Sequence, residues 1–254
     1  MGPLAASLIA LLCVFGGALL GMLSRRWVPD RHLGPDSKDV VRLAMGLVLT
    51  TSALALGLLV GSAKSFFDTQ NAELAQIAAN YVLLDRIIAD YGPAAADARA
   101  TLRAELAHRV EESTRSGSAN KIYGTIKSGG RMSATTLDTL KALSPKDDNQ
   151  RFLKQEGLNL EVQVGQTRWL MYAQNMIPFP RFLLVMLISW LTVLFVSFGI
   201  FAPRNPLVLA GLFVSATAVS GAILLILEMY DPLGGLIQIS DAPLRAAYQA
   251  LINR

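Results

Sequence analysis

Leu43–Ala63 reads LAMGLVLTTSALALGLLVGSA, a run of 21 residues with no charged side chain, bounded by Arg42 on one side and Lys64 on the other. A helix rises about 1.5 Å per residue, so roughly 20 apolar residues cross a hydrocarbon core of about 30 Å. Three further runs have the same character: Leu4–Leu23, Phe182–Ala202 and Pro206–Leu227. Four such runs exceed what one soluble core needs. The chain therefore reads as all-α, a polytopic membrane protein with four transmembrane helices in two pairs and an intervening helical soluble domain. The expected division is 1–63 for the first two transmembrane helices, 64–181 for the extramembrane domain, 182–227 for the last two transmembrane helices and 228–254 for a C-terminal tail.

Composition agrees. Hydrophobic residues make up 52% of the chain and charged residues 17%, against about 25% charged in soluble domains. Residues 64–181 hold 15 Lys/Arg against 13 Asp/Glu, so the formal charge of +4 is not gathered into a basic stripe. Nucleic acid is not an expected partner; the lipid bilayer is. The single cysteine, Cys13, lies inside the first apolar run and can form no internal disulfide. The first run is expected to be retained and not cleaved as a signal peptide, because no Lys or Arg precedes it and Arg25-Arg26 closes it where small residues should stand.

Lipid removes the hydrophobic drive for helix association, so small residues at four-residue spacing mark faces where backbones approach. Gly17 with Gly21, Gly57 with Gly61, Gly211 with Ser215 and Thr217 with Gly221 are such pairs, expected first of all to pack the protomer. No Asp, Glu, Lys, Arg or His interrupts a run, which argues against a proton pump.

The second run continues past Lys64 and Asp68 into Leu74, Ile77, Ala78, Tyr81, Leu84 and Ile88, a stripe at three- and four-residue steps that predicts one long helix leaving the membrane. Gly92 suits a left-handed position at its end, and Pro93 the first turn of the next helix, whose face is Ala98, Leu102, Leu106 and Val110. A third amphipathic helix is expected from a capping box at Ser144 and Asp147, with Pro145 at its first position, through Phe152, Leu160, Val164, Thr167 and Met171 toward a break at Pro178 and Pro180. Between Ser113 and Ser133 four glycines and Arg115, Lys121, Lys127 and Arg131 read as a flexible basic loop.

Phosphate-binding, dinucleotide, zinc-protease and nucleophile-elbow motifs are absent. His32 and His108 stand apart from any ligand-spaced cluster, and the chain reads as no enzyme, with no metal and no cofactor. Two polar groups stand out. Thr50, Thr51 and Ser52 put hydroxyls on an otherwise apolar span, a composition fit for a pore lining. Glu228, Tyr230 and Asp231 follow directly on the fourth run, before Pro232 and Gly234-Gly235; with Lys64 and Asp68, the carboxylates Glu228 and Asp231 are candidates for a pore mouth or helix interface, paired with Lys64 or Arg245.

The segments LLVGSAKSFFD (58–68), LDRIIADYGP (84–93), GIFAPRN (199–205) and ILEMYDPLGGLIQISDAPLR (226–245) resemble a bestrophin-like family of bacterial membrane proteins of unknown function. Tyr230 stands where that family often has an acid and Leu233 where it often has an aromatic, which speaks against a metal at that corner. Bestrophins proper are oligomeric anion channels with four membrane helices and a cytosolic helical part. The resemblance thus implies a homo-oligomeric ion channel, most plausibly for anions, multi-pass in the bacterial inner membrane, with its middle in the cytoplasm. Counting Lys and Arg near the span ends, Arg25, Arg26, Arg31, Lys38 and Arg204 against Lys64, Arg168, Arg181 and Arg245, gives the opposite orientation by a small margin. The alternative is a non-conducting membrane scaffold or sensor that binds a protein partner through its helical middle.

Overall fold

A computed structural model describes residues 2–25, 35–116, 130–176, 181–203, 205–231 and 236–253. Among the described residues eight α-helices follow in order: α1 Pro3–Ser24, α2 Pro35–Tyr91, α3 Ala96–Ser116, α4 Gly130–Ala142, α5 Asp148–Met176, α6 Arg181–Phe201, α7 Pro206–Met229 and α8 Ala242–Ile252, with a 3₁₀ turn at Pro93–Ala95. No strand occurs among the described residues. Helices α1, α2, α6 and α7 each carry a segment long and apolar enough to cross a membrane. The chain forms two compact units, Met1–Phe66 with Pro178–Tyr230, and Phe67–Ile177 with Asp231–Arg254. Arg26, Arg31, His32, residues 117–129 of the basic loop, Pro178, Pro180, Arg204, Pro232, Gly234 and Gly235 lie outside the described residues.

In the first unit α1 packs against both α6 and α7. Glycine makes this possible. A β-carbon at Gly21 would overlap the carbonyl oxygen of Val196, and one at Gly199 would overlap that of Ala18. Backbones at such a distance gain dispersion contacts that larger side chains would prevent. Helix α7 is tied to α1 by the Ser220 hydroxyl, which donates to the Ser7 carbonyl at 2.6 Å. Met45, Val48, Ala55, Leu56 and Leu59 of α2 pack on the cluster that includes Val14, Ala18, Leu191, Phe195 and Ala216.

The other small-residue pairs behave differently from expectation. Gly57, Gly61, Gly211 and Gly221 have no atom within 4 Å of where a β-carbon would stand, and Ser215 and Thr217 are exposed and hydrogen-bond carbonyls of their own helix. The Gly17 and Gly21 pair does contact another helix of the protomer: a β-carbon there would meet Thr192, Val196 and Gly199 of α6.

The second unit is built on the expected stripe: Leu74, Ile77, Ala78, Tyr81, Leu84 and Ile88 of α2 are buried with Ala98, Leu102 and Leu106 of α3. Helix α2 stops at Tyr91, and Gly92 takes φ 102°, ψ −170°. Its φ is positive as anticipated, but its ψ is extended and not left-handed helical, a region essentially restricted to glycine. Helix α5 begins three residues later than expected. Asp147 is its cap, accepting from the Gln150 amide at 2.7 Å, while Gln150 accepts from the Lys146 amide at 2.9 Å; this reciprocal bonding satisfies two donors that the first turn leaves open. Leu160, Val164 and Met171 are buried as expected, with Gly157 and Arg168 beside them, whereas Phe152, expected on the same face, is 65% exposed. Leu244, Ala247 and Leu251 bring α8 into the same core.

The close α1–α6 crossing is testable. Gly199→Ala should lower the melting temperature of the purified protein by an amount matching about 1–3 kcal/mol of overpacking, whereas Gly57→Ala, entering open space, should leave it unchanged or raise it slightly. Equal melting curves for wild type and Gly199→Ala would show that the crossing does not hold the helices.

Candidate functional site

Helix α2 exposes a row of apolar side chains at three- and four-residue steps: Leu43, Leu47, Leu54 and Leu58 are between 64% and 77% exposed. Thr50 falls within this row, and its hydroxyl donates to the Gly46 carbonyl at 2.9 Å. Thr51, also exposed, donates to the Leu47 carbonyl at 2.9 Å. Ser52 is 1% exposed, and its hydroxyl has no hydrogen-bond partner among the described residues. Helix geometry separates the three. At about 100° per residue, Thr51 is a quarter-turn from Thr50 and Ser52 lies nearly opposite it, facing the protomer's own helices. One surface cannot therefore be lined by all three. With their protons held by backbone carbonyls, Thr50 and Thr51 present oxygen lone pairs on an apolar wall.

Lys64 is exposed on α2, Glu228 is 3% exposed at the end of α7, and Asp68 and Asp231 fall in the second unit. Arg245 pairs at 2.7 Å with Asp241, on its own helix. Tyr230 meets α2. Its ring stacks on Phe66 at 5.3 Å, with 18° between the planes, and its hydroxyl shares a 2.9 Å hydrogen bond with Ser62. Ser62 and Phe66 are one turn apart on α2, a spacing visible in the sequence; that Tyr230 would meet them was not. Among the described residues no group of three His, Cys, Asp or Glu is placed to hold a metal ion.

The second unit carries buried charge that apolar periodicity could not reveal. Asp85, on the buried side of α2, accepts from Arg99 through two 2.8 Å bonds and from Arg103 at 3.3 Å. Burial pushes the Asp85 carboxyl up, but the hydrogen bonds and charges of Arg99 and Arg103 outweigh it and hold the group below its ordinary value. A second cluster centres on Glu105, which is 3% exposed. It accepts from Arg109 at 2.6 Å and from Thr136 at 2.8 Å, and Arg168 lies 3.5 Å away. The Arg168 guanidinium also sits 5.4 Å from the Tyr81 ring centre, and burial pushes it down to about 10, still charged at pH 7. A third group ties α2 to α5 by side-chain amides: Gln174 donates to Glu73 at 2.9 Å and accepts from the fully buried Gln70. Each cluster is internally paired. These contacts join α2, α3, α4 and α5 to one another.

Comparison with known proteins matches residues 11–244 to the Bestrophin-like domain. A crystal structure of a point mutant of a bacterial bestrophin homologue from Klebsiella pneumoniae shares the fold, with a TM-score of 0.68 at 12% identity, covering 97% of this chain and 98% of that one. No curated protein matches the sequence.

The buried ion pairs generate two expectations. Asp85 has a folded pKa below its unfolded value of about 3.9, so it stabilises the second unit above that pH, and the contribution is lost as pH falls through the lowered value. The melting temperature should thus drop on acidification below about pH 4, and Asp85→Asn should lower it at pH 7 while flattening that acid slope. Glu105→Ala leaves two guanidinium groups buried without their carboxylate and should cost about 3–5 kcal/mol, seen as loss of folded protein or as a large fall in melting temperature. A neutral result for either substitution at pH 7 would sink the assignment of these carboxylates as structural anchors.

Proposed function

The chain belongs to the bestrophin-like family, and on that premise we propose that it is a homo-oligomeric ion channel in the bacterial inner membrane, with anions the ions to test first. The observation that carries the proposal is the exposed row Leu43, Leu47, Thr50, Leu54 and Leu58 on α2. A single helix encloses nothing, so such a row bounds a path only where several copies surround an axis. An apolar wall of this kind binds ions weakly and is suited to a constriction that opens and closes by wetting. Of the hydroxyls proposed as lining, Thr50 belongs to the row, Thr51 lies at its flank, and Ser52 is reassigned to helix packing. Lys64 near the end of the row and Glu228 at the end of α7 are proposed for the mouth; Asp68 and Asp231 remain candidates by sequence position.

A second reading has its own support. Helix α5 exposes Phe152, Val162, Trp169, Leu170 and Met176, each at least 49% accessible, and apolar surface of that extent on a water-facing unit fits contact with another protein. This is the scaffold or sensor alternative.

Flux through the purified protein in liposomes, with chloride and potassium gradients imposed separately, separates the two. Protein-dependent flux is expected, reduced several-fold by Thr50→Leu and raised by Leu54→Ala, which widens the wall. Silent vesicles that hold folded oligomer would reject conduction and favour the scaffold; flux indifferent to both substitutions would reject the α2 row as its lining.

A further inference from the structure

At the end of the first unit where α2 enters and α6 leaves the apolar region, a groove of about 350 Å³ lies between Arg42–Leu49 and the last turn of α6. Its lining includes Met45, Gly46, Leu49, Phe198 and Phe201, together with Arg42. Among the described residues no atom lies within 4 Å of where a β-carbon on Gly46 would be. Measured along α2, Arg42 to Leu49 is about 10 Å, so the slot reaches from the first charged residue outside the span into the hydrocarbon depth.

Charge at this end is positive. The guanidinium of Arg25 caps α6 by donating to the Ala202 carbonyl at 2.9 Å. Among the described residues Arg42 is paired with Asp39 of its own helix at 3.4 Å, with side chains 72% and 70% exposed, a pairing too long and too well solvated to compete with a phosphate. An apolar slot at hydrocarbon depth beneath an arginine at headgroup depth matches one kind of molecule in a bilayer.

We propose that this groove binds an anionic phospholipid, with one acyl chain lying over Gly46 between the α2 and α6 side chains and the phosphate on Arg42. Basic pockets between membrane helices take acidic headgroups by the same physics. The site requires only that the first unit spans a bilayer, and it stands whether or not the protein conducts.

Native mass spectrometry of the full chain in detergent, titrated with phosphatidylglycerol or with phosphatidylcholine of the same acyl chains, tests it. Wild type should retain phosphatidylglycerol preferentially. Arg42→Gln, on an exposed side chain, should weaken phosphatidylglycerol about fivefold, the equivalent of about 1 kcal/mol per basic group, and leave phosphatidylcholine unchanged. Gly46→Leu should lower retention of both lipids by filling the slot, with melting temperature confirming a folded protein. Equal retention of the two lipids by wild type, an undiminished preference in Arg42→Gln, or full retention in a folded Gly46→Leu variant would each overturn the proposal.

Discussion

A backbone amide that enters hydrocarbon finds no water, so it must be satisfied within its own helix, and the helices must then associate without the hydrophobic effect to press them together. In this protein the solution is the crossing of α1 and α6, where Gly17, Gly21 and Gly199 let main chain meet main chain. Much of the first unit follows from that approach. Val14 and Ala18 beside Leu191 and Phe195 give α2 a surface on which to pack, and α7 is drawn to α1 through Ser220 and Ser7. Once α2 is held by the side that carries Ser52, its opposite face, with Leu47, Thr50 and Leu54, necessarily faces away from the protomer's core.

The second unit solves a different problem. Burial of the apolar stripes of α2, α3 and α5 supplies the drive for association, at about 25 cal/mol per Å² removed from solvent. Stripes alone tolerate sliding and rotation, however, and the buried Asp85 and Glu105 restrict both. A carboxylate that has lost its water accepts only positions in which its arginines reach it, since an unpaired buried charge costs several kcal/mol. Asp85 holds α3 to α2 through Arg99, and Glu105 draws in α4 through Thr136 and α5 through Arg168. The paired charges add little net stability over an apolar core of equal volume; their effect is on register.

How much of this the residues disclosed depends on the range of the interaction. Charge-free length, three- and four-residue periodicity and the glycine at position 92 are local properties, and they placed the four spans, the long helix and its end. The late start of α5 was also local. Ser144 and Asp147 satisfied the pattern of a cap, but Asp147 and Gln150 satisfied it better, and bonding geometry decided between two overlapping signals. The hydroxyl triplet shows the opposite limit. Three adjacent polar residues look like one feature in a string, yet on a helix they point in three directions.

By itself, then, the sequence determined that this is an all-α protein with four helices fit to cross a membrane and with amphipathic helices between them, because spans and stripes are written in the order and spacing of neighbours along the chain. It also carried enough ordered likeness to identify the bestrophin-like family. Only the tertiary structure decided that Gly21 meets Gly199 while Gly57 and Gly61 meet nothing in the protomer, that Tyr230 stacks on Phe66, and that Glu105 gathers two arginines and a threonine. Those outcomes depend on which faces of sequence-distant helices come within a few ångströms of one another. Contact of that kind is set by the simultaneous packing of all the helices in a unit, and no single segment contains it.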